Sequence, residues 1–156
     1  MKVIVAEYDK EWPRLFDHER DLLLKVFGET AVRIEHIGST SVPGLAARPI
    51  IDVMAGLQDF ANVDSLVPKV EDLGYVYIRE YEDVMPDRRF FRRMQDRQDT
   101  HHIHMVEIGS EFWERHLLFR DYLRENPETA DEYALLKKSL ASRQWKDANN
   151  YVDAKT

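Results

Sequence analysis

Asp52 stands in the run Ile50-Ile51-Asp52-Val53, whose other members belong in a core. A buried carboxylate without a partner is costly, so it calls for a cation, a metal or several hydrogen-bond donors. It is read either as a ligand for a metal or a substrate's basic group, or as a strand-end Asp paired with an Arg. A second feature is Thr100-His101-His102-Ile103-His104-Met105-Val106-Glu107. Strand alternation puts His102 and His104 on one face, roughly 7 Å apart. Two such imidazoles can chelate one metal, or each can hydrogen-bond a ligand. His101, Ile103, Met105 and Glu107 point the other way.

Two further stretches suit an anion. The loop 38–48 opens with Gly38, Ser39, Thr40 and Ser41. Glycine admits backbone conformations that other residues resist, and hydroxyls with backbone N–H groups can cradle phosphate oxygens. The plain alternative is a polar turn between strands. Arg88-Arg89-Phe90-Phe91-Arg92-Arg93 with Arg97 sets five arginines against one acid, Asp96. Alternation places Arg89, Phe91 and Arg93 on one face and Arg88, Phe90 and Arg92 on the other. An arginine facing the cleft can fork onto a phosphate. The alternative is an edge strand guarded by charge. His116 and Arg120 lie one helical turn apart and share a face, as do Tyr133 and Lys137.

These residues need elements to position them. Asp9 can cap a helix whose apolar positions are Trp12, Leu15, Phe16, Leu23, Val26 and Phe27, with Gly28 as its stop. Pro13 fits in its first turn. Residues 31–37 alternate as a strand, and residues 49–57 read as a buried strand. A helix follows with Val63, Leu66, Val67, Val70 and Leu73 inward and Gly74 ending it. Strands are predicted near 75–80, 88–94 and 101–108. Ser110 caps a helix ending before Pro127. Asn126-Pro127 opens another that runs to about Ser142. A last short helix is predicted from Lys146. The pattern is an α+β domain with a mixed sheet flanked by helices and a helical C-terminal third.

Composition limits the function. The chain of 156 residues is expected to form a single domain over 1–156, long enough for a real core. Its 22 Lys and Arg against 29 Asp and Glu give a net charge of −7, which argues against a dedicated nucleic-acid binder. A local basic patch for a small anionic ligand remains compatible with that charge. With no cysteine there is no disulfide, thiol nucleophile or cysteine zinc site. No apolar run spans a membrane, and the first residues lack the apolar core of a signal peptide. A soluble, cytoplasmic protein is the expectation.

The chain resembles the GrpB family. The resemblance is carried by Glu35-His36-Ile37-Gly38-Ser39-Thr40-Ser41-Val42-Pro43-Gly44-Leu45-Ala46, by Arg48-Pro49-Ile50-Ile51-Asp52, and by Arg89-Phe90-Phe91-Arg92. The His-rich stretch 101–104 and His116-Leu117-Leu118-Phe119-Arg120-Asp121-Tyr122-Leu123-Arg124 complete it. The family is placed in the polymerase-beta-like nucleotidyltransferase superfamily, which implies that fold and a phosphoryl-transfer setting. That superfamily pairs a Gly-Ser loop with two acids at i and i+2 on a strand, plus a third acid on a later strand, to hold metal ions. Gly38-Ser39 and Asp52 match at the expected spacing, whereas position 54 is Met.

Two functions follow as expectations. One is metal-dependent nucleotidyl transfer, with Asp52 and His104 catalytic. A divalent ion (Mg²⁺, Mn²⁺ or Zn²⁺) is then held by Asp52, His102 and His104. The substrate is a nucleotide or other phosphorylated small molecule, bound by Gly38, Ser39, Thr40, Ser41, Arg48, Arg92, His116 and Arg120. One Asp with two neutral imidazoles would suit Mn²⁺ or Zn²⁺ better than Mg²⁺. The other is a catalytically degenerate module on the same fold that binds a phosphorylated ligand without turnover, which Met54 favours.

Overall fold

The structure is a computed structural model that describes residues 5–141. The first helix, α1 (Trp12–Phe27), is prepared by Asp9, whose side chain accepts from the Glu11 N–H at 2.8 Å. Pro13 sits in the first turn, and Gly28 ends the helix at φ +57°. The buried stripe is Trp12, Phe16, Glu19, Leu23 and Phe27, so an acid fills one turn of it, while Leu15 is exposed. Glu19 accepts from the Tyr75 hydroxyl at 2.7 Å and from Arg93 Nη1 at 2.9 Å, which is how its charge is tolerated inside.

Five strands follow: β1 (Ala31–Ile37), β2 (Ile51–Leu57), β3 (Val76–Tyr77), β4 (Arg88–Gln95) and β5 (Gln98–Glu107). They form one mixed sheet in the order β1-β2-β5-β4-β3. Only β2 and β5 are parallel, and every other neighbouring pair is antiparallel. Between β2 and β3 runs α2 (Val63–Glu71), and a single helical turn, α3 (Tyr81–Val84), precedes β4. The chain then forms α4 (Glu111–Glu125), whose cap Ser110 accepts from the Trp113 N–H, and α5 (Pro127–Ala141). The expected α+β architecture with a helical last third is the one observed. The helix predicted from Lys146 lies outside the described residues.

Two details differ from the sequence reading. The strands at 88–94 and 101–108 are one continuous hairpin, closed by Asp96-Arg97 with φ of 53° and 65°. Two central residues at positive φ match the twist of a tight hairpin. No Gly marks the turn, so it was not legible as one. The segment near 75–80 supplies only the two-residue β3.

Periodicity assigns the faces. Ile51, Val53, Ala55, Leu57, Ile103, Met105 and Phe91 project to one side and build the main core with α1 and α2. Asp52, Met54 and Gly56 of β2 project to the other side. There α4 covers them in part, and Ile37, Met54, Val106 and Trp113 form a small apolar cluster. Trp113 lies on Gly56, where an added Cβ would come within 2.5 Å of its ring. The rest of that face carries polar groups with aromatic rings, Phe90 and Phe112, beside them.

Candidate functional site

The parallel pairing of β2 with β5 sets Asp52 opposite His102 and Met54 opposite His104. The antiparallel pairing of β5 with β4 adds Arg92 beside His102 and Phe90 beside His104. Asp52 thus meets both histidines on the face away from the main core. The His104 Nε2–H donates to Asp52 Oδ1 at 3.3 Å, and His102 Nδ1 lies 3.5 Å from the same oxygen. His102 Nε2–H donates to Asp99 Oδ2 at 2.8 Å. The Asp52 side chain is 27% exposed, so the cleft reaches solvent beside it.

The two histidines hold opposite charge states. Burial opposes the His102 charge, but its bonds to Asp52 and Asp99 outweigh burial and push it up to about 9. Burial, only partly offset by Asp52, takes His104 down to about 4. At neutral pH His102 is an imidazolium between two carboxylates, and His104 is a neutral ring oriented by Asp52. Burial acts to raise the Asp52 carboxyl, and the bonds from His102 and His104 overcome it, holding Asp52 well below the usual carboxylate range.

Arg88 closes the cleft on the β4 side. Its Nη1–H donates to His104 Nδ1 at 3.3 Å, the nitrogen opposite the one that faces Asp52. Its guanidinium carbon lies 5.1 Å from the Phe90 ring centroid, 5.6 Å from that of Phe112 and 5.9 Å from that of Tyr81. Burial in this aromatic cage lowers its pKa. The Nε atoms of Arg88 and Arg92 are both buried with no hydrogen-bond partner among the described residues. Overhead, His116 Nδ1–H donates to the Phe112 carbonyl at 2.9 Å, and its ring centroid lies 6.5 Å from that of His104.

The model of the family described as "GrpB protein" matches residues 2–156. The chain belongs to the GrpB family. It is 41% identical to the UPF0157 protein YqkA of Bacillus subtilis over 99% of its own length, but spans only 44% of that relative. The crystal structure of GrpB from Enterococcus faecalis superposes with a TM-score of 0.85 at 39% identity, covering 96% of this chain and 90% of that one. A cytoplasmic RNA terminal U-transferase shares the fold at a TM-score of 0.59 and 14% identity, covering 89% of this chain and 41% of that one. The sheet and its helices therefore share the fold of that U-transferase.

In this GrpB chain the structure gathers Asp52, His102, His104, Arg92 and His116 around one cleft. Gly38 adjoins them at φ +74°, and a Cβ there would come within 2.6 Å of Asp52 Oδ2. The loop is otherwise self-bonded. Thr40 Oγ1–H donates to the Ile50 carbonyl at 3.1 Å and lies 2.9 Å from His36 Nε2. The Ser41 hydroxyl donates to the Gly38 carbonyl, as does the Ser41 N–H at 3.1 Å. Thr40 and Ser41 therefore spend their hydroxyls on the loop, while half-buried Ser39 stands at the start of the turn.

Asp99 is held below its usual value by His102 first, against burial, which raises it, with Arg92 and Arg48 close enough to add to the lowering. Arg120 is drawn elsewhere: Nη1 bonds Glu35 at 3.0 Å and the His36 carbonyl at 3.1 Å, and Nε bonds Asp121 at 2.9 Å. Tyr133 and Lys137 meet each other, with Nζ 5.0 Å from the ring centroid. Sequence reasoning missed Asp99. Alternation puts residue 99 on the His101 face, but β5 bulges, with Arg93 opposite His101 and Met94 opposite Asp99. One extra residue on β5 reverses the facing and turns Asp99 towards His102.

Among the described residues no three His, Asp or Glu side chains are disposed to hold an ion. Met54 fills the second-acid position and packs with Ile37, Val106 and Trp113. A protonated His102 offers no lone pair. As arranged, these residues do not fit a resident ion.

Proposed function

We propose that this GrpB chain binds a nucleotide or another phosphorylated small molecule in the cleft above Asp52. The observation that carries the reading is the pair of buried, unpartnered Nε donors on Arg88 and Arg92, one strand away from a protonated His102. Buried donors left unbonded cost free energy, and a phosphate supplies the missing acceptors. Arg88, Arg92 and His102 bring three cations against Asp52 and Asp99, so the cleft is locally positive in a chain of net charge −7. Arg92 and Ser39 take phosphate oxygens, and the charge of His102, whose N–H groups face Asp52 and Asp99, attracts the anion through space. Asp52 orients His104 through Nε2–H, burial keeps that ring neutral, and its other nitrogen accepts from Arg88, so His104 holds the guanidinium at the cleft wall.

Calorimetry with nucleoside mono- and triphosphates, in chelator, tests the binding. Arg92→Ala should lose roughly 1.5–3 kcal/mol, the range for a hydrogen bond to a charged group. Equal affinity in wild type, Arg92→Ala and Ser39→Ala would remove phosphate from this cleft.

Metal-dependent nucleotidyl transfer is the second reading. It is favoured by the approach of Asp52 Oδ1 to ring nitrogens of both His104 and His102, at 3.3 and 3.5 Å. It requires His102 to give up Asp99 and its proton. A Zn²⁺ or Mn²⁺ titration decides between the two. Binding that falls from pH 7.5 to 5.5 and is lost in His104→Ala selects the second reading. Indifference to both keeps the first.

A further inference from the structure

Behind the 38–43 loop, at the outer edge of β1, lies a second recess of about 250 Å³. Its walls include Tyr8, Phe16, His36, Ser41, Arg120 and Arg124. None of Asp52, Arg88, Arg92, His102 or His104 lines it. The loop separates the two sites, with Gly38 against Asp52 on one side and Ser41 facing the recess on the other.

Charge in the recess is unevenly settled. Two carboxylates border it, and both are already paired. Glu35 bonds Arg33 and Arg120, and Asp17 lies 3.3 Å from Arg20. Arg120 is fixed by Glu35, Asp121 and the His36 carbonyl. Arg124, one helical turn further along α4, has only a neutral partner: its Nε–H donates to the Ser41 carbonyl at 3.0 Å. Among the described residues Arg124 forms no ion pair, and burial followed by the Arg120 charge lowers its pKa. The remaining walls are aromatic rings with Pro13 and Pro43 beside them. Phe16 and His36 stack with centroids 4.8 Å apart and planes 7° apart, and burial keeps His36 neutral by lowering it to about 4.

A fork-shaped cation beside aromatic walls selects a planar or tetrahedral anion with a compact apolar body. We propose that this recess is a separate binding site for a small organic anion, a carboxylate or phosphate monoester on an aromatic or short apolar body, anchored by Arg124. The site is independent of ligand binding at Asp52.

The test is backbone amide NMR of the whole chain titrated with benzoate, with phenyl phosphate and with inorganic phosphate. Benzoate or phenyl phosphate should shift the Tyr8 and Ser41 amides saturably at millimolar concentration or below. Affinity should fall at least tenfold in Arg124→Gln and be unchanged in Arg92→Ala. Benzoate selecting the recess over phenyl phosphate assigns a carboxylate ligand, and the reverse order assigns a phosphate monoester. Inorganic phosphate should bind more weakly than either, because it leaves the aromatic walls uncovered. Unmoved Tyr8 and Ser41 amides in the wild type overturn the proposal, whatever the variants do. Shifts at His102 and His104 report the Asp52 cleft separately, so failure of one site is not read as failure of the other. If Arg124→Gln does not fold, Arg124→Lys keeps the charge without the fork and should bind measurably more weakly. Unchanged affinity in that variant also overturns the assignment.

Discussion

Two histidines separated by one residue carry opposite protonation because their second partners differ. His102 has a carboxylate on each side, whereas His104 has Asp52 on one nitrogen and Arg88 on the other. Side-chain NMR should find His102 charged at pH 7.5 and titrating near about 9, and His104 neutral down to about 4. Asp99→Asn should return His102 toward its ordinary value. A His102 that titrates near 6.5 in the wild type would contradict the assignment. Asp52, His102, His104 and Arg92 were legible because strand period alone fixes their facing. Asp99 was not, because a bulge breaks the period at that residue. Arg120 was placed with His116 by helix spacing, and that spacing is real. Spacing could not reveal that Glu35, on a strand 85 residues away in sequence, would claim the guanidinium.

At the level of elements, the cleft exists because α4 is held over one end of the Asp52 face. Its anchor is Trp113 on Gly56. Gly56→Ala should cost roughly 1–3 kcal/mol, the range for overpacking a filled core, and should lower the Tm. An unchanged Tm would mean that Trp113 swings aside freely. On the opposite face, Glu19 ties α1 to Tyr75 and Arg93. Removing one partner of a buried pair costs roughly 3–5 kcal/mol. Arg93 is 27% exposed and partly hydrated, so Glu19→Ala should cost less, about 2–3 kcal/mol in urea unfolding. The α1 stripe was read from its apolar residues, which left a gap where Glu19 sits. A polarity pattern cannot show that an acid completes a buried face when its partners come from distant strands. The helices, the sheet class and most strand positions were legible, since apolar period and caps are local signals. The Asp96-Arg97 turn was not, because neither residue type advertises positive φ.

Over the whole molecule, the buried ionisable groups set opposite pH limits. His36, His101 and His104 all lie near about 4 in the folded chain, each chiefly through burial. The unfolded chain takes up protons first, so stability should fall as pH drops from about 6.5 towards 4. The lowered carboxyls of Glu19, Asp52 and Asp99 add to that acid loss. His102 acts in reverse: its raised pKa stabilises the fold fully below about 6.5, and that contribution is lost as pH rises through about 9. Urea midpoints at pH 5, 7 and 9.5 should therefore be highest at pH 7. The same proton offers the most direct test of the cleft. Calorimetric affinity for a nucleoside monophosphate, in chelator, should fall from pH 7.5 to 9.5 as His102 loses its charge. The expected loss is roughly tenfold, about 1.4 kcal/mol, the scale of a charge attraction over about 10 Å at an effective dielectric constant of about 20. His102→Gln should bind more weakly at pH 7.5 and show no such decline. Wild-type affinity that is flat over this range, or that appears only when a divalent ion is added, would contradict the account.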